Sequence, residues 1–411
     1  MQAASASVMA EGGGATTPPP MERRIGTLPS GQEARAWTIR SATGTSVEIM
    51  NVGATILKLR TRDRKGELGD IVLGHADELR YLEDSNYFGG IVGRVANRIK
   101  EGMMTVGGVQ YQLDCNNGAN HLHGGSIGYD KRVWECKRIR NGLEFSLFSL
   151  DGEEGYPGEV HITARYTLQG NVLTLEMRAR SSSMTPINLA QHSYFNLAGH
   201  ASGSVLGHEV LVFADKYTPM VQQIPTGEVK AVEGSAYDLR EPSCLGKKIA
   251  QLGKEKGMDI AYDEEKGVLL KDGAELAEED EEAGPRCVAP IGFDDNFVVR
   301  RKEPNLLQRI LSLGRERLHP VAKVVEKKSG RTMLIESNVP GVQFYTANFL
   351  CGVRGKEECV YLQHGGLCLE TQHFPNSINV DSESEFGKGA CRIIDEGEEY
   401  VHKVQYTFGT E

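Results

Sequence analysis

Glu370 sits in the run LETQHFPNSIN, residues 369–379, where a β-prone segment breaks into a polar, proline-bearing turn. Flanked by Leu367 and Leu369, its carboxylate can be partly desolvated, which raises its basicity and makes it a candidate catalytic base. His192, in Gln191-His192-Ser193-Tyr194-Phe195-Asn196, is of a residue type suited to pair with a carboxylate in proton transfer. A protonated imidazole can act as a general acid, and a nearby carboxylate favours that form by raising the ring pKa. A positioned acid–base pair typically contributes about 10²- to 10⁴-fold to a rate. Each residue alone reads more blandly, because a strand Glu ordinarily faces solvent and a His beside Tyr and Phe is ordinarily a hydrogen-bonded core residue. Their surroundings in the chain decide between the readings.

Those surroundings are residues 93–99 (GRVANRI), 120–125 (NHLHGG), 191–199 (QHSYFNLAG), 292–297 (GFDDNF) and 340–349 (PGVQFYTANF). With the run at Glu370, their order and approximate spacing resemble the aldose 1-epimerase family, the galactose mutarotases, from about Ile25 to the C-terminus. The resemblance implies exchange of the α and β anomers of free aldohexoses such as galactose and glucose. It makes Glu370 the base that removes the C1 hydroxyl proton and His192 the acid that protonates the ring oxygen. His123 matches a second family histidine that hydrogen-bonds the sugar, next to Gly124 and Gly125, which permit close backbone approach. Arg98 and Asn97 match residues that contact ring hydroxyls, and an Arg fork and an Asn amide can satisfy vicinal hydroxyl pairs. Asp294 and Gln343 match hydrogen-bonding positions for further hydroxyls. Tyr194, Phe297 and Tyr345 are aromatics able to pack on the C–H face of a hexose, or to be core. Arg94 reads equally as structural, and Trp134 is an aromatic position without a catalytic role.

The chain departs from the family pattern at Asp295, where a His is common, and at Asn376, where an Asp is common. Asp295 is expected to add negative charge beside the sugar and disfavour a phosphorylated one. Other readings are a hexose-6-phosphate 1-epimerase, which needs a cationic pocket, and a sugar-binding module without catalysis. A metal site from His121, His123, His364 and His373 with Glu370 is a further one, as is a glycosidase using Glu370 and Asp294. The epimerase reading requires no cofactor and no metal.

The elements that must position these residues are strands. Val160, Ile162, Ala164, Tyr166 and Leu168 alternate with polar neighbours and, after Gly170-Asn171, so do Leu173, Leu175, Met177 and Ala179. That is a hairpin with one apolar face. A second hairpin turns at Gly107-Gly108. Helical signals are short, at residues 77–81, at 243–252 behind a possible Ser243 cap, and at 306–313. Many strands and few helices predict an all-β fold of packed antiparallel sheets. The resemblance narrows this to one large antiparallel β-sandwich, a galactose mutarotase-like supersandwich with a sugar cleft. Residues 1–22 are rich in Ala, Ser, Gly, Thr and Pro and read as a disordered leader before a single domain over 23–411. Residues 254–290 read as an acidic surface insertion, a solvated loop.

The formal net charge of −10 is concentrated there, since residues 251–290 carry twelve acidic and five basic side chains. No dense run of Lys and Arg offers the basic face that nucleic acid or anionic membranes require. The eight Cys lack C-x-x-C spacing and read as reduced thiols, with Cys359 and Cys368 packing in strands. No apolar segment is long enough for a signal peptide or a membrane span. The expectation is a cytoplasmic monomer or homodimer acting on a monosaccharide.

Overall fold

The computed structural model describes residues 19–271, 274–275, 277–280, 284–287, 290–301, 317–381, 383–389 and 391–411. The alternating segments form strands Val160–Gln169 and Val172–Ser181, and the nine apolar residues singled out above are all at most 1% exposed. Gly170, at φ +56°, makes the turn between them. These two strands lie inside a nine-stranded sheet that continues through Glu399–Thr410, Arg331–Ser337 and His319–Val325. A five-stranded sheet opens the fold with Met21–Thr27, Glu33–Arg40, Ser46–Met50, Ile56–Arg62 and Leu68–Asp70. Another runs in the order Lys230–Ala231, Ala214–Thr218, Asp294–Val299, Gly341–Tyr345, Cys368–Gln372. Pairing within all three sheets is antiparallel.

Apolar faces of the three sheets meet in one core, where Trp37, Ile39 and Val47 share a cluster with Phe145, Tyr166 and Leu175 and with Phe293, Phe297 and Phe344. Burying each such side chain stabilises the fold by about 1.5–3 kcal/mol. The fold is therefore all-β, a large antiparallel sandwich, as the alternation and the motifs predict.

Several local expectations change. The strand Met21–Thr27 already contains Met21 and Glu22, inside the stretch read as leader. The helix is Leu245–Glu255; Ser243 pairs in a strand and provides no cap, because Cys244 occupies the cap position without a side-chain hydrogen bond. Residues 77–81 form a 3₁₀ turn, Glu78–Leu82, whose first amides are capped by Asp77 accepting from Leu79 N–H at 3.0 Å. The helix expected at 306–313 lies outside the described residues.

The first part of the acidic segment is not a solvated loop. Ile260–Asp263 and Val268–Lys271 pair as a hairpin, and Ile260 and Leu269 join Ile249 and Leu252 of the helix in the core. Two apolar residues on one face of a short hairpin outweigh the surrounding charges, and Glu264, Glu265 and Lys266 at its turn stay exposed. Cys115, Cys136, Cys244, Cys359, Cys368 and Cys391 are free thiols, but Cys351 is disulfide-bonded, so the expectation of wholly reduced cysteines does not hold for it.

Candidate active site

Strand register builds the floor of the site. Gln343 stands opposite Glu370, Phe344 opposite Leu369, and Asp294 opposite Tyr345. Because successive side chains alternate across a sheet, Phe344 and Leu369 enter the core while Gln343, Glu370 and Asp294 face the other way. There they line a cleft of about 360 Å³. The opposite wall comes from earlier in the chain. Ala190–Gln191 pairs with Ile91–Val92, and His192 exchanges backbone hydrogen bonds with Gly89 and Gly90 at 2.9 Å. Arg98–Ile99 pairs with His121–Leu122, which brings Asn97, Arg98 and His123 together. Asn97 (φ +64°) and His123 (φ +52°) both adopt left-handed backbone to turn into the cleft.

All seven residues singled out in the sequence, Asn97, Arg98, His123, His192, Asp294, Gln343 and Glu370, line this one cleft. His192 Nε2 lies 3.6 Å from Glu370 Oε1. Burial pushes the Glu370 carboxyl well above the usual carboxylate range, reinforced by the charge of Asp294 and opposed by Arg98. Burial also lowers His192, to about 4. The separation would suit an ion pair, but both shifts oppose one, and with both groups almost wholly dehydrated the burial cost prevails. Burial thus disfavours the charged form of each group. His123 accepts from Asn97 N–H through Nδ1 at 3.2 Å, and burial holds its ring neutral. That tautomer leaves Nε2–H as a donor towards the cleft. Arg98 is aimed by its Nε–H to Asn117 Oδ1 at 3.1 Å, and its amide donates to Asn97 Oδ1 at 2.8 Å. Gln343 donates to Asp294 Oδ1 at 2.8 Å. Gln343 Oε1 and Glu370 Oε2 are buried acceptors with no partner among the described residues, a pattern that hydroxyl donors would satisfy.

The residues weighed as a metal site do not assemble. His121 donates from Nδ1 to Asp114 O and accepts Tyr156 O–H at Nε2, both at 2.6 Å, and His364 lines a different cavity. His373 packs beside Tyr400, with ring centroids 6.3 Å apart. Ligand atoms of His123, His192 and Glu370 do lie within 4.8 Å of one another. His123 is nonetheless a poor ligand there, because its bare lone pair is already committed to the Asn97 amide and its other nitrogen carries the proton.

Other residues resolve cleanly. Tyr194 and Tyr345 line the cleft, whereas Phe297 and Trp134 are core. Asp295 points away from the cleft and accepts from Tyr237 O–H at 3.3 Å, so its expected charge beside the sugar is absent. Asn376, at φ +56°, holds the backbone behind Arg98, its N–H donating to Arg98 O at 3.0 Å and its Oδ1 accepting from Lys100 N–H. Arg94 is structural. Its guanidinium donates to Pro157 O, Gly158 O, Ser149 Oγ, Thr185 Oγ1 and Tyr129 Oη, and only 1% of the residue is exposed. Arg94→Met strands those acceptors and is expected to lower stability by about 3 kcal/mol, measured as a reduced urea midpoint at unchanged slope.

Sequence reasoning missed several residues that line the cleft, among them Tyr87, Asn117, Gln223 and Phe349. Tyr87 packs its ring 4.6 Å from His123 and 5.7 Å from His192. Asn117 orients Arg98, Phe349 stands at the rim with 53% exposure, and Gln223 comes from the turn between two short paired strands. Asn117 had a signal, the Asn-rich turn before His121; Gln223 had none.

A β-sandwich whose cleft holds a buried Glu–His pair among hydrogen-bonding side chains belongs to a class suited to acid–base chemistry on a small hydroxylated molecule. Residues 35–407 match the model of the aldose 1-epimerase family. The galactose mutarotase of Sus scrofa is 39% identical over 387 residues, 93% of this chain and 97% of that protein. The aldose 1-epimerase of Escherichia coli K12 is 29% identical over 386 residues, 93% of this chain and 97% of that one. Among solved structures, an aldose epimerase homologue from C. elegans superposes with a TM-score of 0.72 at 26% identity, over 91% of this chain and 98% of that one. Galactose 1-epimerase from Lactobacillus acidophilus shares the fold at a TM-score of 0.70. The chain belongs to the aldose 1-epimerase family, whose activity is that of an isomerase.

Proposed function

We propose that this protein interconverts the α and β anomers of free aldohexoses, D-galactose and D-glucose among them, with Glu370 as base and His192 as acid. The observation that carries the reading is the 3.6 Å separation of His192 Nε2 and Glu370 Oε1. The two oxygens that exchange protons, the C1 hydroxyl and the ring oxygen, are bonded to the same carbon, so acid and base must stand side by side. With Glu370 ionised and the one proton of the pair on His192, Glu370 takes the C1 hydroxyl proton as the bond from C1 to the ring oxygen breaks, and His192 gives its proton to that oxygen. The open-chain aldehyde then faces a neutral Glu370 and a neutral His192, the arrangement that burial favours. Rotation about C1–C2 presents the other face, and reclosure returns both protons. Arg98, Asn97, His123, Asp294 and Gln343 hold the hydroxyls. Arg98 is the one Lys or Arg lining the cleft among the described residues, and Asp294 and Glu370 share the cleft with it, which disfavours a sugar phosphate.

Polarimetry of freshly dissolved α-galactose and α-glucose tests the reading. Relaxation faster than the spontaneous rate is expected with wild type, and none above it would sink the proposal. The pH dependence follows from one shared proton. A second proton joins the pair only as pH approaches the His192 value of about 4, lowered from 6.5. After subtraction of the spontaneous rate, kcat/KM at pH 5 should be no more than about two-fold below that at pH 7. A half-loss centred near 6.5 would contradict a depressed His192.

Among the described residues no helix is long and apolar enough to cross a membrane. A cytoplasmic location and a monomeric or homodimeric state complete the proposal.

A further inference from the structure

A second cavity, of about 160 Å³, lies behind the loop that brings Tyr345 and Phe349 to the cleft. Its walls include Ala201 and Leu206, Val268 and Leu269 from the hairpin of the acidic segment, and Gln363 and His364. Two of these residues carry buried acceptors with no partner among the described residues, His364 Nε2 and Gln363 Oε1. The residues are 2% and 4% exposed. Their hydrogen bonds settle which atoms are acceptors. His364 Nδ1–H donates to Thr346 O at 2.8 Å, and burial lowers its pKa to about 4, so Nε2 is a bare lone pair. Gln363 Nε2–H donates to Asn348 O at 3.2 Å, which leaves Oε1 as the open end of the amide. Unpaired buried acceptors are rare in folded proteins, and mainly apolar walls with a few convergent polar groups are the make-up of small-molecule sites. His364 also has φ +60°, a conformation that a non-glycine residue adopts at a cost and that clusters at ligand clamps.

The same two side chains grip the loop from behind, through the carbonyls of Thr346 and Asn348. From its other side the loop reaches the cleft. Phe349 N–H donates to Tyr345 Oη at 3.0 Å, and Asn348 Nδ2–H donates to Phe293 O, next to Asp294, at 2.8 Å.

We propose that this cavity is a second binding site, for a small molecule with an apolar body and hydroxyl or amine donors aimed at His364 Nε2 and Gln363 Oε1, and that its occupancy alters the catalytic cleft through residues 345–349. Resorcinol, an apolar ring with two hydroxyl donors, is a suitable probe. Saturation-transfer NMR on the full chain without sugar is expected to show saturable binding. Ala201→Trp fills the cavity from an exposed position, and Val268→Trp from a half-buried one on a different wall; both should abolish binding while retaining cooperative unfolding. Saturating resorcinol should change kcat/KM for galactose by about five-fold in wild type and leave either Trp variant unaffected. No saturable binding would mean that the cavity holds only solvent, and binding that survives both Trp variants would place it elsewhere; either overturns the site. Binding without a rate change would overturn the coupling. Because binding is read without turnover, failure of the reaction assignment leaves this arm of the test intact.

Discussion

Glu370→Gln is expected to lower kcat for galactose and glucose mutarotation by about 10²- to 10⁴-fold and to leave sugar binding weak but measurable. The amide keeps the shape of the carboxyl and can still hydrogen-bond a hydroxyl, but it cannot accept and return the C1 proton. Stability separates this loss from misfolding. The native Glu370 pKa is raised by burial, so between the unfolded carboxyl range and that raised value the folded state holds more protons than the unfolded one. Stability contributed by the group is full below the unfolded pKa and is lost as pH rises through the folded pKa. Near neutral pH the native carboxyl therefore brings a burial cost that glutamine lacks, and the variant should melt at the same temperature as wild type or higher. A variant that turns over normally removes Glu370 as base. One that is inactive and also melts well below wild type leaves structural damage as the cause.

His192→Asn is expected to lower kcat by a comparable factor, about 10²- to 10⁴-fold, with a smaller change in KM. Asparagine can donate a hydrogen bond to the ring oxygen but cannot deliver a proton to it. The sign of its stability effect is opposite in pH. His192 is depressed to about 4 from 6.5, so the unfolded state takes up its proton first as pH falls, and the native state loses stability between those two values. The Asn variant should lack that component of acid sensitivity, seen as a flatter melting temperature from pH 6.5 down to 4. An unchanged kcat would remove His192 as the acid, and Tyr87 or His123, both beside it, would be the next residues to test.

Local sequence carried the strands because one period-two face had to be buried, as Val160 to Leu168 and Leu173 to Ala179 show. It carried the seven cleft residues because their motifs resemble a family. Helix ends were less legible. Ser243 has the chemistry of a cap, yet its backbone is drawn into a strand beside Glu209–Val212, and tertiary pairing overrides a local preference. Asp295 misled for a related reason: next to Asp294 in sequence, it lies on the opposite face of the same strand.

By itself, the sequence determined the fold class and the family, and through the family resemblance it proposed Glu370 as base and His192 as acid. Only the tertiary structure decided what those groups are chemically. The 3.6 Å approach of His192 to Glu370, the crossed pKa shifts, the His123 tautomer set by the Asn97 amide, and the placement of Tyr87, Gln223 and Phe349 around the cleft all join distant parts of the chain. A proton's position depends on dehydration and on neighbouring charge, and both are properties of the packed interior, where residues far apart in sequence become each other's solvent.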